Sequence, residues 1–306
     1  MDSFFEYRNC PNCGQDDFTV IFDSDMREDD LQEGIETVYM LWGKAHGRHV
    51  KCKNCQLIYV NPIEKADRIN GDYSKMGNTD VPIIRRSRLR AAKSQLGLIK
   101  KYKSGTTLLD IGCGEGFFLS NASQAGYTGK GIEISQDAAA YARKEFGLDV
   151  EATSFEELRF PENYFDVITL WQVLEHVPYP FMVLKEVHRI LKPGGLLATS
   201  TPNIEGILAK IFRRRWWNIR RLHINQFTTK TLTDMLNRAG FKNVFSTGYK
   251  EYISLSMLVI PLLKHSEIYE RAKDVFHRNS TSGKIMNKLI LVYPSRLDNC
   301  TAIGFK

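Results

Sequence analysis

A glycine-rich turn between two apolar segments constrains the fold of this chain more than any other feature. Residues 108–118 read Leu-Leu-Asp-Ile-Gly-Cys-Gly-Glu-Gly-Phe-Phe. This pattern predicts a buried strand that ends at Asp110, a turn, and a helix that opens near Glu115, because glycine lets the backbone turn sharply and approach a ligand closely. Glu133 ends the next apolar segment, at the spacing expected for an acidic residue that binds a pair of ribose hydroxyls. We therefore expect a nucleotide-type pocket, with a tight turn that binds no ligand as the alternative.

The composition is that of a globular protein whose charge suits anionic partners. The 306 residues are 43% hydrophobic, which is enough for one large domain and a small second one. The formal net charge of +7 and the pI near 9.0 favour nucleic acid, a nucleotide-linked substrate or a membrane surface without choosing among them. The N-terminus lacks the pattern of a secretory signal, and the longest apolar run, over 253–263, is too short to span a bilayer comfortably. A cytoplasmic location is expected, with a peripheral position at the inner face of the membrane as the alternative.

Four of the six cysteines form two Cys-x-x-Cys pairs ahead of the glycine turn. The pairs are Cys10 with Cys13 and Cys52 with Cys55. Two such turns can place four thiolates around a tetrahedral site, and a reducing compartment favours metal ligation over disulfides. We expect structural Zn²⁺ in a small zinc-ribbon-like module, with a redox pair or a ribbon that binds no metal as the alternatives.

From residue 106 onward, apolar segments of strand type alternate with helical patterns. Such alternation indicates parallel strands with helices on both faces of the sheet, and therefore an α/β fold. The segment 164–170 is apolar enough to be buried on both sides. Strands are predicted over 106–111, 130–134, 148–152, 164–170 and 196–200, and helices over 116–125, 135–146 and 180–191.

Together these segments resemble the class I S-adenosylmethionine-dependent methyltransferases. The resemblance rests on four motifs in order: the strand and turn over 108–116, Phe-Asp-Val-Ile at 165–168, Leu-Glu-His-Val at 174–177, and Leu-Lys-Pro-Gly-Gly at 191–195. It implies a Rossmann-like, seven-stranded, mostly parallel sheet with helices on both faces and one antiparallel strand near the edge. The segments 241–249 and 300–305 would complete that sheet.

The resemblance also implies which residues bind S-adenosylmethionine. They are Asp110, Gly112, Gly114 and Gly116 around the methionine end, Glu133 at the ribose, Ser154 and Phe155 at the adenine, and Trp171 and Gln172 between cofactor and acceptor. Many relatives have an acidic residue at the adenine, so here the Phe155 backbone and the Ser154 hydroxyl are expected to take that role. For Trp171, a plain core aromatic is the alternative.

The chemistry of methyl transfer points to two histidines. A methyl sulfonium is already electrophilic, so the protein mainly aligns the acceptor and removes a proton from a hydroxyl acceptor. Histidine is the natural base because its ordinary pKa lies near neutrality. His176 and His223 are the candidates, with a packing role as the alternative for His176. The expected reaction is O-methylation of a sugar, free or nucleotide- or lipid-linked; an RNA methyltransferase and a non-catalytic cofactor-binding protein are the alternatives.

The paired cysteines, followed by a short strand and Asn-Pro, are similar to the N-terminal zinc-binding part of methyltransferases of bacterial polysaccharide and sugar biosynthesis. The expected organisation is a zinc-binding module over 1–62, a helical linker over 63–104, and the methyltransferase domain over 105–306 with a lid over 204–228 and an insert over 251–294. Residues 207–222 are rich in arginine and tryptophan. Three interpretations remain: the segment binds a diphosphate-linked sugar, lies at a membrane surface, or forms a solvated helix. A small-molecule or glycan substrate is the expected partner, nucleic acid is less favoured, and no oligomeric state is predicted.

Overall fold

The computed structural model describes residues 4–26, 45–74, 82–102, 105–254 and 290–306. The strands of this part of the chain are β1 (Phe5–Glu6), β2 (Phe18–Phe22), β3 (His49–Cys52), β4 (Ile58–Val60), β5 (Ile63–Glu64), β6 (Thr107–Ile111), β7 (Thr128–Glu133), β8 (Asp149–Ala152), β9 (Phe165–Trp171), β10 (Leu191–Pro202), β11 (Asn225–Gln226), β12 (Lys242–Thr247), β13 (Lys250–Ser254), β14 (Ile290–Pro294) and β15 (Asn299–Phe305). The α-helices are α1 (Ala66–Ser74), α2 (Pro82–Ile99), α3 (Phe117–Gln124), α4 (Gln136–Phe146), α5 (Pro180–Ile190), α6 (Ile207–Phe212) and α7 (Thr229–Ala239).

A seven-stranded sheet in the order β12-β15-β10-β9-β6-β7-β8 forms the centre of the protein. β15 runs antiparallel to both of its neighbours, while β10, β9, β6, β7 and β8 are parallel. This arrangement confirms the predicted α/β, Rossmann-like sheet with one antiparallel strand near its edge. The chain passes from β8 on one side of β6 to β9 on the other, and ligands of open parallel sheets bind at the strand ends beside such a switch.

The sheet is covered on both faces, as the continuous apolar strands require. Neighbouring residues of β6 point to opposite sides, so that Leu109 lies in one core cluster with Leu170, and Leu108 lies in the other with Val167. Capping residues mark the ends of the helices on these faces. The Ser135 side chain caps α4 by accepting a hydrogen bond from Ala138 N.

A second sheet, in the order β11-β4-β3-β2, joins the N-terminal region to the rest of the chain. β2, β3 and β4 come from the cysteine-bearing region, but β11 lies within the predicted lid and pairs with β4 through Asn225 opposite Tyr59. Residues 1–62 therefore share a sheet with a later segment of the chain. The domain boundaries at 62 and 104 stay predictions.

The predicted lid over 204–228 contains α6, a 3₁₀ turn over Arg213–Arg215 and β11. Its two tryptophans do not share one environment: Trp216 is buried in a small cluster with Ala209 and Ile219, and Trp217 packs at the edge of that cluster. Ile207 and Ile211 are exposed. The interpretation of residues 207–222 as a plain solvated helix accounts for α6 but not for the buried Trp216.

Parts of three predicted segments lie outside the described residues. These parts are residues 1–3 and 27–44 of the predicted zinc-binding module, residues 75–81 and 103–104 of the predicted linker, and residues 255–289 of the predicted insert. The flanks of that insert, β13 and β14, pair antiparallel from Lys250 opposite Pro294 to Ser254 opposite Ile290. Among the helices that the structure describes, none has the length and apolar character needed to cross a bilayer.

Candidate active site

The glycine turn connects the end of β6 to α3 and lies against the end of β7. The backbone N–H groups of Gly112 and Cys113 both donate to the Ile132 carbonyl, at 2.8 and 3.0 Å. Gly112 and Gly114 have φ values of +68° and +54°, in the left-handed region that favours glycine. A Cβ atom at Gly112 would lie 2.6 Å from Val173 Cγ2. Glycine is therefore required at Gly112 by both its conformation and its neighbour.

A cavity of about 350 Å³ opens beside this turn, at the ends of the parallel strands. Predicted site residues that line it are Gly112, Gly114, Glu133, Ser154, Phe155, Gln172 and His176. The Glu133 carboxylate accepts hydrogen bonds from Gly114 N at 2.8 Å and from Ser135 N at 2.9 Å. Gln172 has a φ of +59°, which is uncommon for a residue other than glycine and recurs at functional sites. The structure thus brings most of the predicted cofactor residues to one cavity.

Four predicted residues do not line this cavity. Asp110 is buried beneath the turn and accepts a 2.6 Å hydrogen bond from the Thr169 hydroxyl. Gly116 faces α4, where a Cβ would lie 2.9 Å from Ala142 Cβ. Trp171 packs against the rings of Phe118 and Tyr249, as expected of a core aromatic. The fourth residue, His223, lies behind the cavity wall.

Two arginines also line the cavity, although the residue patterns did not assign them to a cofactor pocket. Arg88 lies on α2, and its Nη1 donates to the Glu115 carboxylate at 2.6 Å. The sequence analysis places Arg88 in the helical linker over 63–104 and assigns it no role in the site. Arg220 comes from the predicted lid. Neither position could be found from local spacing, because both depend on how distant segments pack.

A buried acid and a histidine follow β9, and a second histidine lies within the predicted lid. The His176 and His223 rings pack edge to face with centroids 4.6 Å apart, and His176 Nδ1 donates to the Leu222 carbonyl at 2.9 Å. Burial lowers the pKa of His176 to about 3 and the pKa of His223 well below its ordinary value. Burial also raises the pKa of the Glu175 carboxyl to about 7. Both imidazoles are therefore uncharged at neutral pH.

The four N-terminal cysteines converge as their spacing predicts. Cys10 Sγ lies 3.4 Å from Cys55 Sγ, Cys13 Sγ lies 3.5 Å from Cys52 Sγ, and all four sulfurs lie within 4.8 Å of one another. Zn–S bonds of about 2.3 Å would place tetrahedral sulfurs roughly 3.8 Å apart. A hydrogen bond from Cys10 lowers the pKa of the Cys55 thiol, which favours a thiolate in the cluster. The arrangement suits one tetrahedral metal ion.

Comparison with known sequences assigns the family. A sequence model of the family described as a methyltransferase domain matches residues 83–245, which is more than half of the chain. The chain belongs to this family. Its seven-stranded sheet is that of a class I S-adenosylmethionine-dependent methyltransferase domain, as the four motifs predicted.

Relatives of this chain include ubiquinone biosynthesis O-methyltransferases. The enzyme of Pseudomonas paraeruginosa (strain PA7) is 37% identical over 106 residues, which cover 33% of this chain and 46% of the relative. The enzyme of Pseudomonas entomophila (strain L48) is 39% identical over 108 residues with the same coverage. The chain thus spans about half the length of the curated relatives that it matches.

Solved methyltransferase structures share the fold at low sequence identity. One is an N-methyltransferase of Haemonchus contortus in complex with phosphomonomethylethanolamine and S-adenosylhomocysteine, with a TM-score of 0.52, 16% identity, and coverage of 78% of this chain and 60% of that chain. Another is the YcgJ protein of Bacillus subtilis, with a TM-score of 0.50, 15% identity, and coverage of 71% and 98%. These likenesses concern the fold.

Arg8 connects the cysteine-bearing region to the cavity wall. Its buried guanidinium donates to the carbonyls of Val60, Pro178 and Ile224, and Pro178 lines the cavity. Burial lowers the pKa of Arg8 to about 10, so it stays charged at neutral pH. One side chain thus ties β4 to the segments that follow β9 and precede β11.

An Arg8→Met variant is expected to lose about 2–4 kcal/mol of stability, because several buried carbonyls would lose their donor. Equilibrium chemical unfolding measures this change. The matched control is Arg159→Met, since Arg159 is exposed and donates to the carbonyls of Glu156 and Leu158, close to it in the chain. An equal effect in the two variants would contradict the bracing role of Arg8.

Asp110 makes the stability of the folded protein depend on pH. Burial, with the nearby Glu133 charge, raises the pKa of Asp110 to about 7 from an ordinary value of 3.8. The folded state therefore holds this proton more tightly than the unfolded state, and stability falls as pH rises from about 4 to 7. An Asp110→Asn variant is expected to gain a few kcal/mol at most over the native chain, with the gain growing between pH 5 and pH 8.

Asp166 is the control, because its pKa is shifted in the opposite direction to that of Asp110. Although burial opposes ionisation there, hydrogen bonds from Thr107 and the Lys192 charge lower the pKa of Asp166 to about 2. Asp166→Asn is thus expected to be destabilising above pH 4. Chemical unfolding of Asp110→Asn and Asp166→Asn between pH 4 and pH 8 tests both predictions. If the stability of the two variants, relative to the native protein, changed in the same direction with pH, the opposite pKa shifts of Asp110 and Asp166 would be refuted.

Proposed function

We propose that the protein transfers the methyl group of S-adenosylmethionine to a hydroxyl of a small-molecule or glycan acceptor. The observation that carries this proposal is a single cavity that brings the glycine turn and Glu133 together with His176 and Arg220. Methyl transfer requires cofactor and acceptor in one pocket with the reacting atoms aligned. The cavity volume lies within the ~300–1,000 Å³ range of small-molecule sites.

The residues around the turn fit S-adenosylmethionine. Glycine at 112 and 114 leaves backbone open to close approach, and burial raises the pKa of both Asp110 and Glu133, so that a cationic ligand beside them would relieve an unfavourable charge. Bound there, the cofactor would supply an electrophilic methyl group. Glu133 would accept hydrogen bonds from the ribose, and Ser154 with Phe155 would meet the adenine.

We place the acceptor hydroxyl beside His176. Because Nδ1–H donates to the Leu222 carbonyl, Nε2 carries the lone pair and can accept the hydroxyl proton. Glu175 Oε1 lies 3.9 Å from Nε2 and would stabilise the imidazolium. The Arg220 guanidinium suits a phosphate, as in a nucleotide-linked or lipid-linked sugar. The relatives' name, O-methyltransferase, supports oxygen as the methylated atom.

Two further parts of the proposal concern the N-terminal region and the lid. The four cysteines would hold Zn²⁺ as a structural ion, because four thiolates leave no open position for chemistry. The exposed Ile207 and Ile211, followed by Arg213 and Arg214, would let residues 207–222 contact an anionic membrane that presents a lipid-linked acceptor.

Transfer of a radiolabelled methyl group tests the proposal. The zinc-loaded protein is incubated with labelled S-adenosylmethionine and, separately, nucleotide-linked sugars, lipid-linked glycans, phenols and RNA. Label on a hydroxyl of a sugar or phenol supports O-methylation, and label on RNA supports the alternative RNA methyltransferase. Cofactor binding without transfer to any acceptor class would favour a non-catalytic cofactor-binding protein.

A further inference from the structure

Three potential metal ligands meet behind the acceptor side of the cavity. Glu175 and His176 follow β9, and His223 precedes β11, so that the fold brings together residues far apart in the chain. One carboxylate oxygen and one ring nitrogen from each histidine all lie within 4.8 Å of one another. We propose that Glu175, His176 and His223 bind a divalent first-row transition-metal ion, separate from the four-cysteine site.

The Glu175 carboxylate is the acidic group of this cluster. Only 1% of the residue is exposed, and the neighbouring groups that favour its charged form are the Thr201 hydroxyl and the Arg220 guanidinium. A buried carboxylate is costly, and proteins normally pair such a group with a cation. A bound metal ion would supply the opposite charge.

Backbone carbonyls orient both histidines, as is usual for metal-binding imidazoles. The hydrogen bond from His176 Nδ1 to the Leu222 carbonyl fixes the ring with Nε2 3.9 Å from Glu175 Oε1. His223 is buried, and a backbone hydrogen bond at Asn218 acts on its ring. Two nitrogens and one carboxylate oxygen favour transition metals over Mg²⁺ or Ca²⁺. Three protein ligands also leave coordination positions open.

The Arg220 guanidinium would repel the metal ion, so removing it should change the metal affinity in the opposite direction to removing a ligand. Its guanidinium donates to His223 Nε2, and its positive charge acts on Glu175, His176 and His223. A metal ion at these ligands would repel the guanidinium and displace it toward the cavity, which Arg220 already lines. Removing this charge should therefore tighten metal binding, whereas removing a ligand should weaken it.

The ion would act on the acceptor. His176 lines the cavity, so an open coordination position could receive the acceptor hydroxyl and lower its pKa before methyl transfer. In that case the hydroxyl proton would pass to solvent and not to Nε2 of His176, the hydroxyl oxygen would form the new bond to the methyl carbon, and S-adenosylhomocysteine would leave. This role rests on the proposed function, whereas binding of the ion does not.

Titration with Mn²⁺ tests the site, because Mn²⁺ prefers oxygen and nitrogen ligands and competes poorly for four thiolates. The zinc-loaded protein is titrated while electron paramagnetic resonance reports free Mn²⁺. We expect one Mn²⁺ per chain in the native protein. The Mn²⁺ affinity of Glu175→Gln and of His223→Gln should be lower than that of the native protein by about 10-fold or more. We expect tighter binding in Arg220→Met and unchanged binding in His188→Gln, whose histidine packs on Phe241 outside the cluster.

Calorimetry with S-adenosylmethionine on the same samples reports folding independently of the metal. A native protein that binds S-adenosylmethionine but no Mn²⁺ overturns the metal proposal and leaves proton acceptance by His176 in place. Unchanged Mn²⁺ affinity in folded Glu175→Gln overturns it as well. If a ligand variant fails to bind the cofactor through misfolding, the native stoichiometry and the direction of the Arg220→Met change still decide the question.

Discussion

A Gly112→Arg variant is expected to lose at least about 100-fold in affinity for S-adenosylmethionine, which corresponds to roughly 2.7 kcal/mol or more. Two physical effects combine at this position. The backbone has a φ of +68°, which a side chain strains, and the first carbon of any side chain would lie 2.6 Å from Val173 Cγ2. The rest of the arginine would then fill the cavity that Gly112 and Val173 both line. Calorimetric titration with S-adenosylmethionine and S-adenosylhomocysteine measures the loss.

Gly126→Arg is the matched control for this experiment. Gly126 also has a positive φ, +91°, but a Cβ there would have no neighbour within 4 Å, and the residue is exposed after α3. It therefore reproduces the backbone strain without blocking the cavity. Equal cofactor affinity in the native protein and in Gly112→Arg would place the cofactor elsewhere. Absence of binding by the folded native protein would remove the methyl-transfer proposal altogether.

The second large effect is expected for Cys52→Ser, which should lose its zinc and about 4 kcal/mol or more of stability. Cys52 is fully buried, and its sulfur is one of four that converge in the N-terminal region. Metal binding contributes directly to folding where the ligands are assembled only in the folded state. Metal analysis with chemical unfolding measures both losses. Cofactor affinity should change by less than about 3-fold, because the glycine turn belongs to the seven-stranded sheet.

Cys300→Ser separates loss of the metal from loss of a buried thiol. Cys300 is also buried, but it lies on β15 outside the cysteine cluster, with its sulfur near the Pro202 carbonyl at 3.7 Å. This variant should keep its zinc and lose about 1 kcal/mol. A folded Cys52→Ser protein that loses cofactor affinity as strongly as Gly112→Arg would contradict a purely structural role for the ion.

The contacts of the N-terminal region indicate which side of the cavity loss of zinc would affect. β4 pairs with β11, and the Asn225 side chain donates to the carbonyls of Leu174 and Val177 on either side of Glu175 and His176. These contacts reach the acceptor side of the cavity and not the glycine turn. Loss of zinc should therefore reduce the rate of transfer more than it reduces cofactor binding.

Local patterns predicted much of the fold and part of the site. The apolar strand before Asp110 and the glycines after it specify a buried strand and a left-handed turn through short-range sterics alone. Glu133 is the last residue of β7 and Gln172 follows β9, and parallel strands bring such residues to one edge of the sheet. Asp110 and Trp171 could not be placed in this way, because burial against Thr169 or Phe118 depends on the packing of other elements.

The sequence by itself determined the class of fold, the turn and the cysteine spacing, since each is encoded within a few residues or a short periodic pattern. Only the tertiary structure decided that His223 meets Glu175 and His176, that Arg220 enters the cavity, and that Arg8 braces its wall. These contacts join segments separated by tens to hundreds of residues. No local propensity encodes them, because they arise when burial of two sheets fixes the positions of the segments between them.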